Sequence, residues 1–152
     1  MSPGLLRHYY DGIDALIAAT YRATGARVAD ALHAAVDSAI EPKARLLAFV
    51  TASFREPIAD PELLATWLAF WGLSRTNKTI GTIHDEIYAE NRKDMERLIA
   101  ACPGAPADPR LAAVALTALV DGLWLELSLG NTPFSADEAE AVAAKWVDAM
   151  IG

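Results

Sequence analysis

Leu63-Leu-Ala-Thr-Trp-Leu-Ala-Phe-Trp-Gly-Leu73 is the segment on which the interpretation of this chain depends. Trp67, Phe70 and Trp71 follow the first leucine at the i+4, i+7 and i+8 positions of a helix, so the large side chains form one broad apolar stripe. Asp60-Pro61 directly before the segment supplies an N-cap and a proline at the first turn. The pattern predicts a helix that begins at this proline and turns two indoles toward one large partner surface.

A second stripe mixes polar residues with an aromatic one. Thr117, Asp121, Trp124 and Ser128 recur at i, i+4, i+7 and i+11 within an otherwise apolar segment. Our hypothesis is that the two stripes face one pocket. The alternative is that the aromatic residues are ordinary core and that Asp121 has an ordinary hydrogen-bond partner.

A third segment adds polar groups to a buried helix face. His84 and Asn91 fall on the same line as the apolar residues from Ile80 to Leu98, with Tyr88 adjacent to both. We expect His84 to be a satisfied histidine, because its acidic neighbours lack the spacing of a metal site. Asn91 is equally consistent with a core hydrogen bond and with a ligand contact. The candidate pocket residues are Trp67, Phe70, Trp71, Tyr88, Asn91, Thr117, Asp121 and Trp124.

The chain as a whole predicts an all-α fold with about six long helices and one short N-terminal helix. The short helix begins at Ser2-Pro3-Gly4 and is expected to end at Asp11-Gly12, after which a long connector helix covers residues 13–40. Later helices are predicted to begin after Glu41 and Asp108, and the last one at a capping box formed by Ser135 and its i+3 glutamate.

Composition indicates one domain and excludes several classes of protein. The 152 residues are 53% hydrophobic and 22% charged, which is enough for a sizeable core. No uninterrupted apolar run reaches the roughly 18 residues of a membrane span, and no signal peptide is recognisable, so we expect a cytoplasmic protein without a membrane partner. Cys102 is the single cysteine, and no cofactor or metal motif is present. We find no nucleophile elbow or paired catalytic carboxylates and therefore predict no enzyme.

The last two predicted helices have the composition of a dimer interface. Residues 110–129 are apolar on all sides, so one side can pack on the domain and the other on a second chain. Two such helices from each of two chains would form a four-helix bundle in a homodimer. The candidate interface residues are Ala115, Ala118, Gly122, Val142, Trp146 and Met150.

Residues 2–20 carry a resemblance to a known family. Ser2 to Tyr10, followed by a turn and the leucine-rich segment from Asp14 to Thr20, resembles the end of the helix-turn-helix of TetR-family repressors and the start of their connecting helix. The resemblance implies that residues 1–11 are a remnant of a DNA-binding domain and that residues 12–152 form a ligand-binding and dimerisation domain. The implied DNA-binding residues are Ser2, Gly4, Leu5, His8 and Tyr9.

Two departures from the family pattern concern DNA binding. The two helices that precede the recognition helix are absent from this chain, and Ile13 stands where the family usually has a phosphate-binding lysine. The excess of 20 acidic over 13 basic residues also disfavours binding to DNA. We expect operator binding only by a longer form of a ligand-responsive repressor. The alternative is a dimeric small-molecule-binding module without DNA binding.

Within the family, residues 67–71 and 120–125 look most like the choline-responsive repressors of betaine synthesis. A quaternary ammonium donates no hydrogen bonds, so proteins hold it on aromatic faces beside a carboxylate, at about 0.5–2 kcal/mol per contact. Tryptophans, Tyr88 and Asp121 would supply those groups. A neutral apolar effector is the competing hypothesis, because leucines and Phe70 would accept it equally well.

Overall fold

Six helices make up the described part of the chain. The computed structural model describes residues 3–152, the side chains of Pro3 and Leu6 excepted. No strand occurs within this range, which confirms the all-α prediction. The helices are α1 (Pro3–Asp37), α2 (Pro42–Ala52), α3 (Pro61–Ser74), α4 (Lys78–Ala100), α5 (Pro109–Leu129) and α6 (Ala136–Ile151).

The helix starts follow the predicted local signals. The Asp60 side chain accepts a hydrogen bond from the Leu63 amide at 2.9 Å, and Asp108 caps α5 in the same way. Ser135 and Glu138 form the reciprocal bonds of a capping box at the start of α6. These side chains satisfy backbone N–H groups that have no partner within their own helix, so the starts are encoded within a few residues of sequence.

The predicted break at Asp11-Gly12 is wrong. A single α1 runs without interruption through these residues, so the expected short N-terminal helix is the first part of one 35-residue helix. Gly12 has no positive φ, the conformation in which a glycine usually ends a helix. A glycine within a helix costs only about 1 kcal/mol, which weakens a long helix without stopping it.

Helix α4 lies at the centre of the packing and contacts α1, α2, α3 and α5. Its residues Ile80, Ile83 and Ile99 are completely or almost completely buried. α1 approaches it closely at Gly25, where an added Cβ atom would lie only 2.7 Å from the Ile87 Cδ1 atom. Helices α2, α5 and α6 close the other side of the core.

Helix α5 has two different faces. Leu116, Thr117, Val120 and Trp124 are buried in the core, whereas the opposite face is exposed in the single chain. Among the described helices, α5 is long and apolar enough to cross a membrane by length and composition, but only 28% of its most apolar 18-residue stretch is buried. Its apolar character therefore combines a core face with a face that is uncovered in the single chain, and the packing of that face on a second chain stays a prediction.

Candidate functional site

Three aromatic side chains from α3 and α4 meet at one hydroxyl group. Trp71 Nε1 donates a hydrogen bond to the Tyr88 hydroxyl oxygen at 3.0 Å, and Trp67 Nε1 donates to the same oxygen at 3.4 Å. The two indoles can share this acceptor because they lie one turn apart on α3. Since the phenol oxygen accepts both bonds, its own proton is available to a third group.

The carboxylate of Asp121 on α5 is the group that interacts electrostatically with this hydroxyl. Burial raises the pKa of Asp121 to about 6, while the Arg92 guanidinium and a hydrogen bond with Tyr88 act in the opposite direction. Burial raises the pKa of Tyr88 well above its usual range, so the phenol stays neutral and donates. At neutral pH Asp121 is therefore a partly desolvated negative charge beside aromatic rings, and it favours a positively charged neighbour.

Trp124 adds a further ring on the α5 side. It follows Asp121 by three residues, so both side chains project from one face of the helix. Its ring centroid lies 6.2 Å from that of Trp67, at an interplanar angle of 83°. This edge-to-face arrangement is a preferred geometry for aromatic pairs and holds the two indoles at an angle, as two walls of one corner.

Trp67, Tyr88, Asp121 and Trp124 line the wall of a cavity of about 490 Å³. Its volume falls within the roughly 300–1,000 Å³ typical of small-molecule sites. Residues from α1, α2, α4 and α5 complete the wall. The lining consists of Arg22, Gly25, Ala26, Val28, Ala29, Leu32, His33, Phe49, Ser53, Ile58, Trp67, Glu86, Ile87, Tyr88, Glu90, Asn91, Asp94, Val120, Asp121 and Trp124.

The rim of the cavity lies between α1 and α4 and is crossed by one ion pair and one hydrogen bond. Arg22 contacts Glu86 at 2.8 Å, and His33 contacts Asp94 at 2.8 Å. Between them the α1 residues that line the cavity are all apolar: Gly25, Ala26, Val28, Ala29 and Leu32. Any molecule in the cavity would therefore lie directly against α1.

The structure brings some of the predicted pocket residues together and separates others. Trp67, Tyr88, Asn91, Asp121 and Trp124 line the 490 Å³ cavity. These five predicted residues therefore lie on one concave surface.

The remaining candidates lie elsewhere. Phe70 stacks on Tyr21 of α1, with centroids 4.1 Å apart and an interplanar angle of 8°. Thr117 is buried next to the cavity wall without lining it, and its hydroxyl has no hydrogen-bond partner in the described part of the chain. Trp71 faces a smaller cleft on the other side of Tyr88. Phe70 is a core residue because Tyr21 of α1 covers its ring. Thr117 is a buried core residue of α5.

Tyr21 and His84 form the core contact next to the site. The Tyr21 hydroxyl and His84 Nδ1 share a hydrogen bond of 2.9 Å, and the His84 ring lies 4.4 Å from the Tyr88 ring. Burial lowers the pKa of His84 and raises that of Tyr21 to about 12, so both groups are neutral at pH 7. His84 is thus a satisfied histidine, as predicted. Within the described residues, no cluster of three or more His, Cys, Asp or Glu residues could hold a metal.

Arg92 bounds the site from the outside. Its guanidinium lies 5.7 Å from the centroid of the Tyr88 ring, a cation–π distance. Together with Trp71, Asp121 and other residues it lines the smaller cleft. Tyr88 and Asp121 therefore form a partition, with the cavity on one side and a positive side chain on the other.

Comparison with known proteins identifies the family. The family model for the BetI-type transcriptional repressor C-terminal domain matches residues 42–152. The HTH-type transcriptional regulator BetI of Burkholderia thailandensis is 34% identical over 155 residues, covering 99% of this chain and 77% of that protein. This chain belongs to the BetI-type repressors of the TetR family. It is a ligand-responsive transcriptional regulator, and this family is not enzymatic.

Two solved structures share the fold of this BetI-type chain. A transcriptional regulator from Pseudomonas aeruginosa PAO1 is 40% identical and superposes with a TM-score of 0.85, covering 99% of this chain and 75% of its own. A transcriptional regulator from Saccharomonospora viridis in complex with choline has a TM-score of 0.80 at 18% identity, covering 97% of this chain and 79% of its own. The second likeness concerns the fold alone.

Sequence reasoning missed the contribution of α1 and α2 to the cavity. Val28, Ala29 and Leu32 of α1 and Phe49 of α2 line it, yet none was a candidate. Their apolar spacing is visible in the sequence, but it is the spacing of any core helix. Only the packing of α1 over α4 shows that a cavity remains between the two helices.

Proposed function

We propose that this BetI-type regulator responds to a quaternary ammonium cation bound between Trp67, Tyr88, Trp124 and Asp121. The observation that carries the proposal is the desolvated Asp121 carboxylate set in an aromatic wall of the 490 Å³ cavity. Aromatic faces attract a cation that can make no hydrogen bonds, and the carboxylate neutralises its charge. The choline bound by the structural neighbour from Saccharomonospora viridis supports this class of effector.

Substitution of Asp121 by Asn separates a cationic effector from a neutral apolar one. Choline and its neutral isostere, in which carbon replaces the quaternary nitrogen, have the same shape and are titrated against both proteins by calorimetry. We expect Asp121→Asn to weaken choline binding at least tenfold and to change binding of the isostere less than twofold, because only the charge interaction is removed. Equal losses for both ligands would reject the cation site and favour the apolar effector.

Dimerisation is proposed through the uncovered faces of α5 and α6. Ala115, Ala118 and Gly122 are exposed on α5, and Val142 of α6 is 48% exposed. Trp146 and Met150 are half-buried against the core at the edge of this surface. Small residues in register allow two α5 helices to approach closely, and the exposed Leu111, Val114 and Leu129 extend the apolar area.

A charge placed in this surface tests the dimer. Ala118→Glu should convert a dimer into a monomer in sedimentation velocity, because an unpaired carboxylate would be buried at the twofold contact. Ala23→Glu on the exposed side of α1 is the matched control and should leave the dimer intact. A wild-type protein that is monomeric at micromolar concentration would contradict the proposed interface.

Effector binding is proposed to act on DNA binding through α1. Gly4, Leu5, His8 and Tyr9 are exposed on the first turns of that helix, while Ser2 lies outside the described residues. The same helix forms the cavity wall further along and contacts Trp67 through Tyr21, with centroids 5.6 Å apart. A ligand that pushes α1 away from α4 would move its N-terminal turns and shift the equilibrium between two conformations of this cytoplasmic regulator, of which one binds DNA.

A further inference from the structure

The cavity is larger than a small quaternary ammonium requires. A cation with about seven non-hydrogen atoms fills roughly 210 Å³, even if each atom takes the ~30 Å³ share of a water molecule in the liquid. The cavity measures about 490 Å³. More than half of it would remain empty around choline.

The part of the cavity away from Asp121 is apolar where it is buried. Leu32, Phe49 and Ile58 line it with exposed fractions of 4%, 2% and 3%. Apart from Asp121, the charged lining residues Arg22, Glu86 and Glu90 are exposed, and the Asp94 carboxylate is hydrogen-bonded to His33 and Arg97. Water molecules need two to four polar partners, which an apolar wall does not provide, so this space favours a hydrocarbon group.

The cavity also extends along α1 far beyond a single ligand head group. Its α1 lining residues run from Arg22 to His33. Eleven residues of helix correspond to about 16 Å at a rise of 1.5 Å per residue. The aromatic wall and the carboxylate come from α3, α4 and α5, whereas the apolar lining comes largely from α1 and α2.

We propose that the natural effector is a trimethylammonium compound that carries a linear apolar chain of about four to eight carbons. The head group binds at Asp121 and the aromatic rings, and the chain lies along the apolar lining from α1 and α2. This inference rests on the proposed cation site and specifies the class of its ligand. The chain length follows from the remaining volume, which holds at most about nine water-sized groups at ~30 Å³ each.

A series of alkyltrimethylammonium ions with chains of one to ten carbons tests the proposal on the wild-type protein. We expect the dissociation constant to fall about two- to fourfold with each methylene group until the chain fills the cavity, and then to level off or rise. Affinity that is unchanged or weaker from the second carbon onward would overturn the proposal. In that case tight binding of tetramethylammonium would still support the cation site itself.

A variant that fills the apolar part provides the second readout. Ala29 lines the cavity and is half-buried, so Ala29→Phe places a phenyl ring in the space assigned to the chain. It should abolish the gain from chain length, so that the dissociation constant no longer falls with each added methylene group. Ala23→Phe, on the exposed side of the same helix, is the control and should keep the full gain.

The outcomes separate failure of this proposal from failure of the cation site. If no member of the series binds, or if a neutral alcohol of the same chain length binds as well as the cation, both proposals are rejected. If the short cations bind and the chain adds nothing in the wild-type protein, only the apolar chain is rejected. Circular dichroism of Ala29→Phe shows whether the variant is folded, and the wild-type series decides the question without it.

Discussion

The close contact between α1 and α4 at Gly25 makes a quantitative prediction. A Cβ atom at this position would lie 2.7 Å from Ile87 Cδ1 and 3.1 Å from Ile87 Cγ1, well inside van der Waals contact. Gly25→Ala gains about 1 kcal/mol of helix propensity but incurs about 1–3 kcal/mol of overpacking. At Gly12 of the same helix an added Cβ would meet nothing within 4 Å, so Gly12→Ala gives the propensity gain alone, up to about 1 kcal/mol.

Urea denaturation followed by circular dichroism measures the difference. We expect Gly25→Ala to be about 1–3 kcal/mol less stable than Gly12→Ala. Ile87→Val removes the Cδ1 atom itself, so the penalty of Gly25→Ala should shrink by at least about 0.5 kcal/mol in that background. If Gly25→Ala stabilises the protein as much as Gly12→Ala does, α1 does not lie against α4 as described and the cavity between them is in doubt.

Two further predictions concern the charges around Asp121. Because cation binding requires the carboxylate and its pKa in the free protein is about 6, choline affinity should be constant above pH 7 and fall as the pH drops below 6, approaching tenfold per unit. Arg92 and Tyr88 lower the pKa of Asp121, and burial lowers the pKa of the neighbouring His84. A pH-independent affinity would contradict the role of the carboxylate. Arg92→Gln should tighten choline binding about two- to fivefold at pH 8, since it removes a screened competing cation from the other side of the partition. Lys93→Gln removes the same charge from the neighbouring position and should leave choline affinity unchanged. Equal effects of the two substitutions would mean that the overall charge of the protein, and not the position of Arg92, changes the affinity.

Helix boundaries were predictable from the sequence wherever a cap encodes them locally. Asp60, Asp108 and Ser135 each bond to a backbone amide three residues later, and each start was confirmed. The predicted break at Asp11-Gly12 was wrong because the tendency of these two residues to form a turn competes with the helix-forming residues on both sides of them. A glycine penalty of about 1 kcal/mol is too small to decide that competition.

The candidate site was predictable only in part. The spacing of residues shows which face of a helix they share, but it does not show which other helix packs on that face. Trp67 and Phe70 share the stripe on α3, yet Tyr21 of α1 stacks on Phe70 and leaves Trp67 beside the cavity. Trp71, four residues after Trp67, lines the smaller cleft on the other side of Tyr88. The α1 and α2 lining depends on how helices distant in sequence pack, which no local pattern encodes.

A crystal structure with bound choline would locate the cation. We expect the quaternary nitrogen to lie within about 6 Å of the ring centroids of Trp67 and Trp124 and beside the Asp121 carboxylate, inside the cavity between α1 and α4. Choline bound in the smaller cleft at Trp71 or on the surface of α5, with the cavity empty, would contradict the proposed effector site.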